Sequence, residues 1–190
     1  MSELRRLMMA KKVGGGGRLP SGYTELEYVT SDPTLGGILN TGVVPVFTDF
    51  FQLKVYRRGT YPPFGADNFV IAYSGSDWWR IFNTVGVETE KFPYRTWITY
   101  TYENDYFTDS DGYTLKRQSS TCQQPLYLFC RQYNTGQICN EDIAYCCIRG
   151  KIELIPALRQ SDNMVGFYDL VNNVFLPPTR GTFQAGPIKQ

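Results

Sequence analysis

The sequence predicts an all-β domain, a sandwich or barrel of short antiparallel strands, behind a short N-terminal extension. Three observations predict it. Aromatic residues make up 15% of the 190-residue chain, and 14 Tyr and 12 Phe supply most of them; such side chains favour pleated, half-buried surfaces. The 18 Gly and 11 Pro supply frequent turns, as many short strands require. Several segments alternate apolar and polar residues with period 2, and no helical period runs beyond a few turns. A hydrophobic content of 42% excludes wholesale disorder, and a chain of this length reads as one domain able to bury a core.

Residues 1–18 read as an extension and residues 19–190 as the domain. Leu4, Leu7, Met8 and Lys11 fall at i, i+3, i+4 and i+7, so a helical turn or two would put three apolar side chains on one stripe. A helix that short needs a surface to pack on. Gly14 to Gly17 then form a flexible tether with a reach of about 10–12 Å. Two readings compete for this segment. One is a solvated terminus. The other is a docking peptide whose Leu4, Leu7 and Met8 enter a partner's groove, with Arg5, Arg6, Lys11 and Lys12 on the rim; this second reading is the one carried forward.

The strands follow in order. Phe51, Leu53 and Val55 alternate with the polar Gln52, Lys54 and Arg57, an inward and an outward set. Phe69 to Tyr73 forms the next strand, ended by Ser74-Gly75-Ser76-Asp77. Trp78 to Phe82 puts Trp79 and Ile81 on one face and Trp78, Arg80 and Phe82 on the other. Thr96 to Tyr102 is rich in β-branched and aromatic residues and reads as a strong strand. Asp111-Gly112 is the best hairpin signal, because a type I′ turn needs positive φ at both central positions. Leu126 to Cys130 is a near-continuous apolar run and reads as a central strand. Ile143 to Ile148, Lys151 to Pro156, and Val165 to Asp169 with Asn172 to Phe175 around a tight turn complete the domain.

Charge and cysteines narrow the partners. With 19 basic and 18 acidic residues, no bulk field attracts nucleic acid or a membrane surface. Arg5 and Arg6 resemble the start of a secretory leader, but Leu7 to Ala10 is too short for its apolar core and Lys11-Lys12 closes it. No apolar run reaches the roughly 18 residues of a membrane span. The five cysteines, Cys122, Cys130, Cys139, Cys146 and Cys147, form an odd set with no C-x-x-C pair and no His in the chain. Cys130 and one of Cys146 and Cys147 are read as small hydrophobes in strands, and free thiols would suit assembly in a reducing cytoplasm.

Leu19-Pro20-Ser21-Gly22-Tyr23-Thr24-Glu25-Leu26-Glu27-Tyr28-Val29, then Asn40-Thr41-Gly42-Val43, resembles the opening of concanavalin A-like (laminin G-like) jelly-roll domains of bacteriophage and prophage proteins. Ile155 to Leu158, Val165 to Asn173 and Gly181-Thr182-Phe183-Gln184-Ala185-Gly186-Pro187 resemble the C-terminal signature of that family. Leu126 to Arg131 is similar to its central strand, and Phe64-Gly65-Ala66 to its first-hairpin segment. The likeness spans residues 19 to 187 and departs from the pattern between Ser31 and Leu39. It implies a concanavalin A-like β-sandwich in a phage particle or related surface assembly, and it names no ligand, since one fold hosts many functions.

The residues themselves argue against catalysis. Without His, triads and imidazole chemistry are out. Glucanases of the resembled fold carry three alternating acids on one strand. Glu103-Asn104-Asp105 comes nearest, but Phe107 and Thr108 stand where the third acid belongs; Glu88 and Glu90 stand alone. Asp105, Asp109 and Asp111 before Gly112 look faintly like a calcium loop. With Gly112 as its sixth position, however, the first is Phe107 and the twelfth Gln118, neither of them a ligand; Asp67 and Asp77 carry no more weight. No metal or cofactor is expected. Tyr61, Phe64, Trp78, Trp79 and Tyr94 are the candidate aromatics for a sugar platform or an oligomer contact. The expectation is a virion structural protein made in the host cytoplasm, a head or tail decoration or appendage in several copies or as a homo-oligomer. Its N-terminal peptide would contact other virion proteins. The alternative is a carbohydrate-binding module that recognises a glycan through an exposed aromatic flanked by Asn, Asp or Arg.

Overall fold

A computed structural model describes residues 18–32, 34, 36–58, 64–66, 69–70, 80–81, 84–85, 96–110, 112, 114–116, 122–130 and 138–190. The docking-peptide residues, Tyr61, Trp78, Trp79, Tyr94, Asp67, Asp77, Glu88, Glu90 and Asp111 lie outside them. The described residues form strands and no helix. In chain order they are β1 Tyr23–Glu25, β2 Val29–Ser31, β3 Leu39–Asn40, β4 Phe51–Tyr56, β5 Phe64–Gly65 and β6 Phe69–Val70. Next come β7 Arg80–Ile81, β8 Thr84–Val85, β9 Trp97–Glu103, β10 Tyr106–Asp109, β11 Thr114–Lys116 and β12 Tyr127–Leu128. The last are β13 Asp142–Ile148, β14 Ile152–Arg159, β15 Met164–Asp169, β16 Val174–Leu176 and β17 Phe183–Ala185.

Two antiparallel sheets result. The larger runs β11-β10-β9-β4-β13-β14-β15-β16, with β1 beside β14, β2 beside β13 and β17 beside β2; the smaller runs β3-β12-β5-β6-β7-β8. Period 2 explains how they meet. Phe51, Leu53 and Val55 of β4 and Ile98, Tyr100 and Tyr102 of β9 are buried on one face, in register with Ile143, Cys146 and Ile148 of β13. Leu39, Phe64 and Leu128 of the smaller sheet join the same core, and the Phe51 and Phe64 rings sit 4.8 Å apart. Each such side chain contributes about 1.5–3 kcal/mol when fully buried.

The structure departs from the sequence-based expectation at four places. Arg57, expected outside with Gln52 and Lys54, is 1% exposed. It stands two residues beyond Val55, so the strand's parity sends it inward. The run Leu126 to Cys130 forms only the two-residue β12. Phe129 adopts φ 68°, rare for a bulky residue, and this break lets Leu128, Phe129 and Cys130 all be buried. β14 continues through Pro156 to Arg159. Pro156 falls where β13, paired as far as Leu154, gives way to β1, paired from Ala157. Its oxygen accepts from Leu26 N–H, so the missing proline N–H falls at that fork and costs no ladder bond.

The fourth departure concerns turns. A hairpin does join β10 to β11, with Gly112 at φ 88°, but Thr108 pairs with Thr114, so its loop is longer than two residues. The two-residue turn with both φ positive is Asn104-Asp105, at 51° and 70°, between the partners Glu103 and Tyr106. In the stretch between Ser31 and Leu39, where the sequence departs from the resembled pattern, Asp32 accepts from the Thr34 and Gly36 N–H groups. Gly37 is pressed so close that a Cβ would lie 2.2 Å from the Thr182 oxygen.

Candidate functional site

Antiparallel register partners project to the same face of a sheet. Trp97 pairs with Tyr56, Tyr56 with Asp142, Asp142 with Thr30, and Thr30 with Gln184. Five adjacent strands, β9, β4, β13, β2 and β17, therefore contribute one residue each to a single transverse row about 19 Å long at strand spacing. The neighbouring row, Ile98, Val55, Ile143 and Val29, points the other way and is at most 1% exposed. The Trp97 row thus lies on the face opposite the core. Residues two positions away share that face, which adds Lys54 and Arg58 beside Tyr56, Tyr28 beside Thr30 and Asn140 beside Asp142.

One end of this row is aromatic. Trp97 stays 38% exposed although its ring lies 5.5 Å from Tyr56 and 5.9 Å from Tyr28. The Lys54 ammonium sits 5.5 Å from its centroid, and the Arg58 guanidinium 5.3 Å from that of Tyr56. The other end is polar. Arg58 Nη2 donates to Asp142 Oδ2, and the Thr30 hydroxyl donates to Oδ1 of the same carboxylate. The Asp142 side chain is 3% exposed while that of Arg58 is 45% exposed, and Asp142 raises the Arg58 pKa. An open pocket of about 290 Å³ is lined by Tyr28, Thr30, Arg58, Asn140, Gln184 and Ala185. Gly186 forms the bed of the Tyr28 ring: a Cβ there would fall 2.7 Å from both the ring and the Tyr28 oxygen.

A second ion pair lies on the core side of the same strands. Arg57 Nε is 3.3 Å from Glu141 Oε1, with side chains 2% and 0% exposed, and Arg57 Nη1 donates to the Tyr100 hydroxyl at 3.0 Å. Burial works against the Arg57 charge, but Tyr100 and Glu141 outweigh it and the pKa is raised. Burial pushes the Tyr100 phenol up to about 12 against the pull of Arg57. Burial also holds the Cys139 and Cys146 thiols well above their ordinary value and Cys130 at about 12. All five cysteines are free thiols, and Cys122, Cys139 and Cys146 belong to the core. Buried thiols of this kind are poor nucleophiles.

Arg18 and Lys189 meet at Glu25 of β1 in the large sheet. Glu25 binds Arg18 and Lys189, each at 2.8 Å. Residues 25 to 28 and 186 to 189 run as a ribbon through Lys189 N–H to Glu25 O, Glu27 N–H to Pro187 O and Gly186 N–H to Tyr28 O. Burial raises the Glu25 pKa, yet the hydrogen bonds from Arg18 and Lys189 bring it below the ordinary value.

Among the sequence-derived site candidates, Phe64 is corrected. It is fully buried against Phe51 and belongs to the core, not to a platform. Glu103 is exposed and faces Arg149 at 3.5 Å, and Asp105 shapes a turn. Among the described residues no cluster of three His, Cys, Asp or Glu could hold a metal. Sequence reasoning missed Tyr28, Tyr56, Arg58, Trp97, Asn140 and Gln184. One signal was there to be used: Trp97 is out of phase with Ile98, Tyr100 and Tyr102, so parity alone sends it outward. No protein-family model matches the chain, and no curated protein or solved structure gives a significant match.

Proposed function

We propose that the chain is a non-catalytic structural module of a bacteriophage particle. In this reading it is a concanavalin A-like jelly roll displayed on head or tail in several copies, made in the host cytoplasm and held to other virion proteins by residues 1–18. The observation that carries the reading is the clamp at the root of the extension. Arg18 is tied to Glu25 of β1, Lys189 shares the same carboxylate, and β1 is laddered to β14 inside the large sheet. A peptide leaving from a point so fixed passes any pull on it directly to the sheet. The resemblance of residues 19 to 187 to phage jelly rolls adds support. Docking would bury Leu4, Leu7 and Met8, worth on the order of 1.5–3 kcal/mol each when complete, and multiple copies would add avidity.

The test is co-sedimentation with purified particles that lack the protein, comparing the full chain with one missing residues 1–17. The proposal expects the full chain to pellet and the shortened one to stay in solution. Equal pelleting would place the contact in the sandwich and refute anchoring by the peptide. Absence of both from the pellet would refute the particle assignment.

A further inference from the structure

We propose that the turns at one end of the large sheet form an interface at which two copies of this chain pair about a two-fold axis. This inference holds whether or not residues 1–18 anchor the chain. Register places the turns together. Phe51 opens β4 opposite Tyr102 of β9 and Ile148 of β13. Ile148 lies opposite Ile152 of β14, and Asp169 of β15 lies opposite Leu154 and Val174. The segment leading into β4 and the β9–β10, β13–β14 and β15–β16 turns therefore share one end of the sheet. They are also tied to one another. The Tyr102 hydroxyl donates to the Phe47 oxygen at 2.8 Å, Lys151 Nζ to Asp49 Oδ2 at 2.7 Å, and Asn172 Nδ2 to the Lys151 oxygen at 2.8 Å.

Exposed apolar side chains gather at this end. Among the described residues eight large hydrophobic side chains are exposed, and five of them, Val46, Phe47, Tyr106, Val171 and Val174, lie in or beside these turns. Trp97 and Met164 stand at the far ends of β9 and β15. Turn residues are ordinarily Gly, Pro, Asn, Asp or Ser, yet Val46 and Phe47 stand in the turn closed by the Asp49 N–H on the Val46 oxygen. Scattered singly, such residues need no account, but a gathered set marks a contact surface. The ties between the turns hold that surface in shape before a partner arrives, which lowers the ordering cost of association.

Charge selects the partner. Beside the apolar residues Arg149 faces Glu103 at 3.5 Å, with side chains 65% and 48% exposed, and Lys151 pairs with Asp49. These pairs balance, and Asp105 of the β9–β10 turn adds a further acid. An anionic membrane surface or a nucleic acid therefore meets no net positive field in these pairs. A second copy meets its own pattern. A two-fold axis makes an interface self-complementary, so Arg149 of each copy can be set against Glu103 of the other around an apolar centre. An apolar centre within a polar rim is the plan of protein–protein contacts.

The experiment is sedimentation velocity of the full chain from micromolar to millimolar concentration, with the melting temperature of every variant recorded in the dilute range. The expected result is a concentration-dependent equilibrium between monomer and dimer. The double variant Val46→Lys, Val171→Lys should weaken the dimer roughly tenfold or more while melting near the parent. Met164→Lys, exposed at the far end of β15, should dimerise like the parent. Glu103→Arg and Arg149→Glu should each dimerise less well alone and pair with each other when mixed. A monomer at every concentration would overturn the proposal, as would dimerisation indifferent to the double variant or equally lost in Met164→Lys. Vesicles of phosphatidylcholine and phosphatidylserine are spun with the protein in parallel. A parent that stays monomeric and sediments with them would replace the second copy with a lipid surface.

Discussion

Arg57 and Arg58 adjoin in sequence, as do Glu141 and Asp142, yet the two ion pairs they make lie on opposite sides of one sheet. Arg57 and Glu141 are sealed in the core beside Tyr100. Arg58 reaches Asp142 from the outer face with nearly half its side chain in solvent. Strand parity alone separates them. The chemistry is the same on both sides, and the surroundings decide what it does. Two charges taken wholly out of water must keep each other, because loss of either strands its partner. In the outer pair the buried Asp142 carboxylate has Thr30 as a second donor, and the half-solvated guanidinium still faces water. The inner pair therefore belongs to the fold and the outer pair to the site.

Removing one inner charge should break this comparison most violently. Glu141→Gln leaves the Arg57 guanidinium buried beside a neutral amide, and the expected loss is about 3–5 kcal/mol, read by urea unfolding. The double variant Arg57→Met, Glu141→Leu removes both charges and should recover most of that loss. A double variant as unstable as the single one would mean that the pair itself, not the stranded charge, holds the fold.

Gly186→Ala tests the bed of the outer site. The new methyl would collide with the Tyr28 ring and oxygen, with an expected cost of about 1–3 kcal/mol. Tyr28 fluorescence and the ring-current shifts it shares with Trp97 should change. An unaltered environment for both rings would show that Tyr28 does not depend on this contact.

The smallest effect belongs to the Arg18–Glu25–Lys189 clamp. The folded pKa of Glu25 is depressed, so its stabilisation is present above its ordinary value of 4.5 and is lost as pH falls from there through the folded value. Protection factors of the Glu27 and Lys189 amides should fall in that acidic window while those of β13 hold. Glu25→Gln should remove this acid response; its persistence in that variant would assign it to another group.

The period of β4 and β9 was legible because Phe51, Leu53, Val55, Ile98, Tyr100 and Tyr102 alternate without interruption. The turn after Asp169 was legible too: its carboxylate accepts from the Val171 N–H and the Asn172 amide, as Asx residues do. Arg57 was misread because its polarity was weighed above its parity. Asn104-Asp105 was weighed as a source of carboxylates when its local chemistry was that of a hairpin turn. The outer row could not have been read in this way. It joins Thr30, Tyr56, Trp97, Asp142 and Gln184 through long-range register, and register depends on which strands become neighbours, information that no local window holds.

The most direct test of the contrast between the two pairs is side-by-side urea unfolding of Arg57→Met and Arg58→Met. Both substitutions remove one guanidinium from the same short segment. Arg57→Met should cost about 3–5 kcal/mol because the buried Glu141 carboxylate loses its counter-charge, while it keeps the hydrogen bond from the Arg58 N–H. Arg58→Met should cost less, about 1–3 kcal/mol, since the buried Asp142 carboxylate keeps the Thr30 hydrogen bond. Equal losses would contradict the division of labour between the two faces.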